Sequence, residues 1–130
     1  MAVFMMLAGP ATLATEVVDF SGQENFQRLC AACHGLTGKG DGPVAGMLAT
    51  TVPNLTTIAE RNGGVFPRQI IKNVIDGRWT IDAHGTRRMP VWGYEFWIAE
   101  GAGEFSEMRV SKILDDLVNY LLSIQVEPTV

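Results

Sequence analysis

Cys30-Ala31-Ala32-Cys33-His34 is the stretch from which the fold is read. Two cysteines separated by two residues, with a histidine directly after the second, form the attachment signature for haem c. The thiols add across the haem vinyl groups as thioethers, the Ala-Ala spacer sets their separation, and His34 is thereby placed as an axial ligand to the iron. A structural disulfide would use the same spacing, and so would a thioredoxin-like dithiol, but the latter needs a βαβ setting that this sequence lacks. Zinc needs four ligands, and Cys30, Cys33, His34 and His84 are the only cysteines and histidines in the chain. His34 abuts Cys33 without the spacing that zinc sites use.

Working outward, Ser21 is a helix N-cap with Glu24 three residues on, and Phe26 and Leu29 carry a short amphipathic helix into the cysteine pair. The run Gly38-Lys39-Gly40-Asp41-Gly42-Pro43 is a loop. Pro67 opens a second helix whose apolar face is Ile70, Ile71, Val74 and Ile75, and Gly77 ends it. The last helix is the clearest: Val110, Ile113, Leu114, Leu117, Val118, Leu121 and Ile124 recur at helical spacing, with Pro128 beyond. A further short helix falls around Tyr94 to Ala99. No segment alternates with period two, so the expected fold class is all-α, and no internal repeat is visible.

A six-coordinate haem iron needs a second axial ligand, and methionine opposite histidine raises the reduction potential. Met89 is the expected ligand. It precedes Pro90 in a segment without helical periodicity, so an extended loop presents its thioether. Met47, between Gly46 and Leu48, is the rival methionine and reads as packing; Met108 begins the last helix, and His84 is the alternative nitrogen ligand.

With 130 residues the chain makes one domain, and the cofactor shares its single core. Apolar residues at 47% and charged residues at 18% exclude a disordered or coiled-coil chain. A formal net charge of -4 argues against nucleic acid as a partner, since phosphate binding wants a basic stripe. The charge is uneven: residues 61–92 hold six basic and two acidic side chains, whereas residues 93–130 hold two and seven. The basic middle third is either an ordinary mixed surface or a docking face for an acidic partner.

Residues 1–15 are uncharged and rich in Val, Phe, Met, Leu and Ala, like the apolar part of a secretory signal, with small residues near Ala14 for a peptidase. Pro10 interrupts the run and no Lys or Arg precedes it. It falls short of the ~20 apolar residues that span a bilayer, so no permanent membrane span is expected. Export to the periplasm followed by release is the expectation, with the folded domain over residues 19–125.

Three blocks give the chain its resemblance to the class I cytochromes c of the bacterial periplasmic, monohaem type: Cys30 to His34 with the loop to Pro43, Met89-Pro90-Val91-Trp92-Gly93, and Leu117-Val118-Asn119-Tyr120-Leu121. The resemblance implies three to five short helices around one covalent haem, the first and last crossing near-perpendicularly. Gly22 and Phe26 match the family's packing positions on the first helix, and Tyr120 the aromatic that meets them. It further implies that Pro43 offers its carbonyl to the His34 ring, and that Arg78 and Trp79 hydrogen-bond the propionates; the plainer alternative is an exposed arginine and a packed tryptophan. An insertion-like stretch at Asp82 to Arg88 precedes the methionine.

With both axial positions filled, no iron site remains for substrate, so the expected role is electron carrier and not enzyme. Its partners would be a donor oxidoreductase and an accepting oxidase or reductase, met through a rim of Arg87, Arg88 and Lys39. Two other readings stay open: a dedicated electron-transfer subunit of a larger complex, and an open-site haem peroxidase or sensor.

Overall fold

The structure, a computed structural model, describes residues 19–79 and 87–127. Among these residues every regular element is helical: α1 (Gly22–Asn25), a π-helical turn (Phe26–Cys30), α2 (Ala31–His34), α3 (Ile58–Arg61), α4 (Arg68–Asp76), α5 (Trp92–Ala99) and α6 (Ser106–Ser123), with short 3-10 turns at Ala45–Met47 and Leu55–Thr57. No described helix is long and apolar enough to cross a membrane. The signal-like segment and His84 lie outside the described residues.

Ser21 caps α1 as expected. Its hydroxyl accepts from Glu24 N, and its own N–H donates to Glu24 Oε2 at 2.8 Å, which satisfies two amides that the helix cannot. α1 then crosses α6 so closely that a methyl group on Gly22 would overlap the Asp116 carbonyl. One turn on, Phe26 inserts beside Tyr120, ring centroids 5.1 Å apart, and packs into a core built from Val110, Leu114, Leu117, Val118 and Leu121 of α6. Of the expected pairing, Phe26 meets Tyr120, while Gly22 lies against the last helix at Asp116 and Leu117.

Between α1 and α2 the helix widens: Ala31 N donates to Phe26 O, five residues back. In an unbroken α-helix, side chains four apart drift steadily around the axis. The wide turn takes the drift back, so Phe26, Cys30 and His34 all line one crevice. The glycine-rich loop then folds over the end of α2. The amides of Gly35, Val44, Gly42 and Gly40 donate to the carbonyls of Ala31, Ala32, Cys33 and His34 at 2.8–3.1 Å, so all four terminal carbonyls of the helix are satisfied. Gly40 needs its positive φ of 82° here, and any side chain on it would strike the Val52 carbonyl.

α4 ends at Gly77, left-handed at φ 71°, as the sequence suggests. Its apolar face is only half covered by protein. Ile75 is buried and Ile71 packs on the core, yet Ile70 and Val74 remain exposed. α4 is tied to α6 by charge: Lys72 pairs with Asp115 at 2.7 Å, and Arg78 binds Asp76 twice and Glu107 once. Gly93, at the start of α5, leaves room for the Asp76–Arg78 pair where a Cβ would collide with it. Burial pushes the Asp76 carboxyl up, but the hydrogen bonds and charge of Arg78, with the charge of Arg87, outweigh it and hold the group below the usual carboxylate range. Two of the six basic residues of the middle third, Lys72 and Arg78, thus pair with acidic residues of the last helix.

Gly22→Val should separate α1 from α6 and cost roughly 1–3 kcal/mol in urea denaturation of the haem-loaded protein. Gly46→Ala, at a glycine with open space around it, should stay within about 0.5 kcal/mol. Asp76→Asn should cost about 1–3 kcal/mol at pH 7. Because the folded Asp76 pKa is lowered, its contribution is present above the unfolded value and is lost as pH falls through the folded one. The gap between wild type and variant should therefore close below about pH 4 in the same denaturation series.

Candidate functional site

Cys30, Cys33 and His34 occupy the last turn before the glycine loop, and all three are half-buried. The crevice that Cys30 and His34 line is walled otherwise by Phe26, Leu55, Ile58, Ile71, Val74, Ile75, Leu117 and Leu121, all apolar. Cys30 and Cys33 are not joined in a disulfide. Burial, with Cys33 beside it, pushes the Cys30 thiol up to about 11. A thioredoxin-type dithiol works by the opposite shift, since its thiolate must form near neutral pH. No described group of three or more His, Cys, Asp or Glu could hold a bare metal ion.

Burial lowers the His34 pKa, and a contact with the Pro53 carbonyl acts against that shift. The ring is therefore neutral at pH 7, as an iron ligand must be. The carbonyl beside Nδ1, at 3.4 Å, belongs to Pro53 and not to Pro43. The reason lies in the loop: its backbone is committed to closing the end of α2, which leaves Pro43 exposed near Ala32 and Leu36 on the other side. The chain returns through Leu55 N, bonded to Gly38 O at 2.7 Å, and that return sets Pro53 against the imidazole. With Nδ1 donating to Pro53, Nε2 is the nitrogen available to iron.

Met89 is half-buried and packs against the core, whereas Met47 and Met108 are 83% and 69% exposed. It is not among the crevice walls, so the structure does not itself bring Met89 and His34 together. Arg78 and Trp79 are elsewhere too. Asp76, two residues earlier, and Glu107 claim the Arg78 guanidinium, and Trp79 lies 78% exposed in a surface cleft with Tyr94, Trp97 and Pro90. Neither faces the crevice, and the tryptophan is not packed. Arg87, expected on the rim, commits its guanidinium to backbone carbonyls, while Arg88 and Lys39 are exposed. Pro53, like the crevice walls Leu55 and Ile58, is not announced by the sequence; nothing local marks a residue that meets the site only through a returning loop.

The donor chemistry fits a covalent haem. Two thiols and a neutral imidazole stand on one helix turn, and the wall opposite is hydrocarbon, with Val74 exposed for the macrocycle to cover. The crevice is narrow, about 70 Å³, and a tetrapyrrole needs several times that, so its walls would have to part to admit one.

The sequence model of the cytochrome c family matches residues 21–125, the whole span from the N-cap of α1 to just past the end of α6. Comparison with curated proteins and with solved structures gives no match. Helical architecture, attachment motif and family match agree, and the chain belongs to the cytochrome c family, whose members carry covalently attached haem c and transfer electrons.

Proposed function

We propose that the protein is a monohaem electron shuttle of the periplasm, with His34 and Met89 as axial ligands, passing single electrons between a donor oxidoreductase and an accepting oxidase or reductase. The observation that carries this reading is the chemistry of the crevice. Apart from Cys30 and His34, every described side chain that lines it is apolar. Peroxide chemistry at a haem needs an acid or base positioned over the iron, and sensing needs an open axial site beside hydrogen-bond donors. Among the described residues the crevice supplies neither group, but it supplies an apolar wall, the low-dielectric surrounding that electron transfer asks for.

Met89 is the ligand this reading selects, because it is the half-buried methionine of the three described beyond the first helix and Pro90 stiffens the chain that presents it. The periplasm is favoured by the apolar, signal-like segment at residues 1–15.

After expression with haem-maturation machinery, the denatured protein should weigh one haem more than the polypeptide; the mass of the bare chain would overturn the reading. Met89→Ala should lose the methionine–iron charge-transfer band at the red end of the ferric spectrum and lower the midpoint potential, with Met47→Ala unchanged in both. A band that survives in Met89→Ala would reassign the ligand.

A further inference from the structure

We propose that Arg87 is a positioning residue for the methionine ligand, its guanidinium bracketing the Met89–Pro90 backbone to the C-terminal end of α4. The proposal rests on the Met89 reading above. Arg87 Nε donates to the carbonyl of Met89 at 2.7 Å and to that of Pro90 at 3.2 Å, and Nη2 donates to Pro90 O at 2.8 Å and to Ile75 O at 3.3 Å. One planar group thus joins the ligand's own peptide, the next peptide, and the helix whose Ile71, Val74 and Ile75 wall the crevice.

Each part of this contact has a physical reason. Ile75 O lies in the last turn of α4, where a carbonyl has no amide four residues on within the helix, and where the helix dipole favours a cation. The guanidinium rests over Gly77, on which a Cβ would lie 2.6 Å from the guanidinium carbon, so a residue without a side chain is needed there. The fork of Nε and Nη2 reaches two carbonyls from one side, which an ammonium on a flexible stem does not reproduce.

The consequence for the ligand follows from how weakly a neutral thioether binds. Its hold on the iron depends on the local concentration that the loop maintains, and a loop pinned at the ligand's own carbonyl maintains more of it than a loop free to swing. Exogenous imidazole competes for the same axial position, so its affinity for the ferric protein reads the ease with which Met89 leaves.

The test is an imidazole titration of the haem-loaded ferric protein, followed by loss of the methionine–iron band, beside far-UV circular dichroism in urea. Arg87→Gln should bind imidazole about tenfold more tightly than wild type, and Arg88→Gln, whose side chain is exposed, should bind it as wild type does. Arg87→Gln with wild-type imidazole affinity overturns the proposal, even if its urea midpoint falls, because a purely structural role moves only the midpoint. If Arg87→Gln does not fold, Arg87→Lys decides: tighter imidazole binding supports the bracket, and wild-type binding overturns it. A Met89→Ala protein that keeps the wild-type band would instead mark failure of the ligand assignment on which the bracket rests.

Discussion

At Gly22 the first helix lies against the Asp116 carbonyl of the last, with no room for even a methyl group between them. That approach sets how deep Phe26 enters the core and, through the wide turn that follows, where Cys30 and His34 point. A helix held by its backbone at one end and by a buried ring one turn later has little freedom left to reorient. The chemistry-bearing turn is in this way placed by packing some ten residues away, and the glycine loop locks it from the other side by satisfying the four carbonyls of Ala31 to His34.

The charges follow the same packing. Six basic residues in the middle third look, in linear order, like a docking face. In space, Lys72 and Arg78 meet Asp115, Asp76 and Glu107, Arg68 donates to Asn119, and Arg87 turns inward onto carbonyls. What sequence order separates, the α4–α6 contact pairs. Lys39 and Arg88 are among the basic side chains that remain exposed.

Features that depend on local periodicity and capping are legible in the order of the amino acids: the Ser21–Glu24 box, the stop at Gly77, the apolar stripe of α6, and the attachment motif itself. Those that depend on where a loop returns are not. Pro43 and Pro53 are both prolines downstream of His34, and only the Leu55–Gly38 hydrogen bond decides which carbonyl meets the imidazole. Arg78 gives no sign in sequence that Asp76 will claim it. The π turn has no residue signature either, because its widening answers the need to keep Phe26, Cys30 and His34 on one side. Ile70 and Val74 are legible as an apolar face, but their exposure is not; it is an apolar surface that protein alone leaves uncovered.

A haem held by Cys30, Cys33 and His34 would sit against α4 and α6 in the crevice where Cys30 and His34 converge. Nuclear Overhauser contacts from the macrocycle protons of the diamagnetic ferrous protein test this directly. The account predicts contacts to Leu55, Ile71, Val74 and Leu117, together with the ε-methyl of Met89. Contacts running instead to Trp79, Tyr94 and Trp97 would place the haem in the aromatic surface cleft and contradict it.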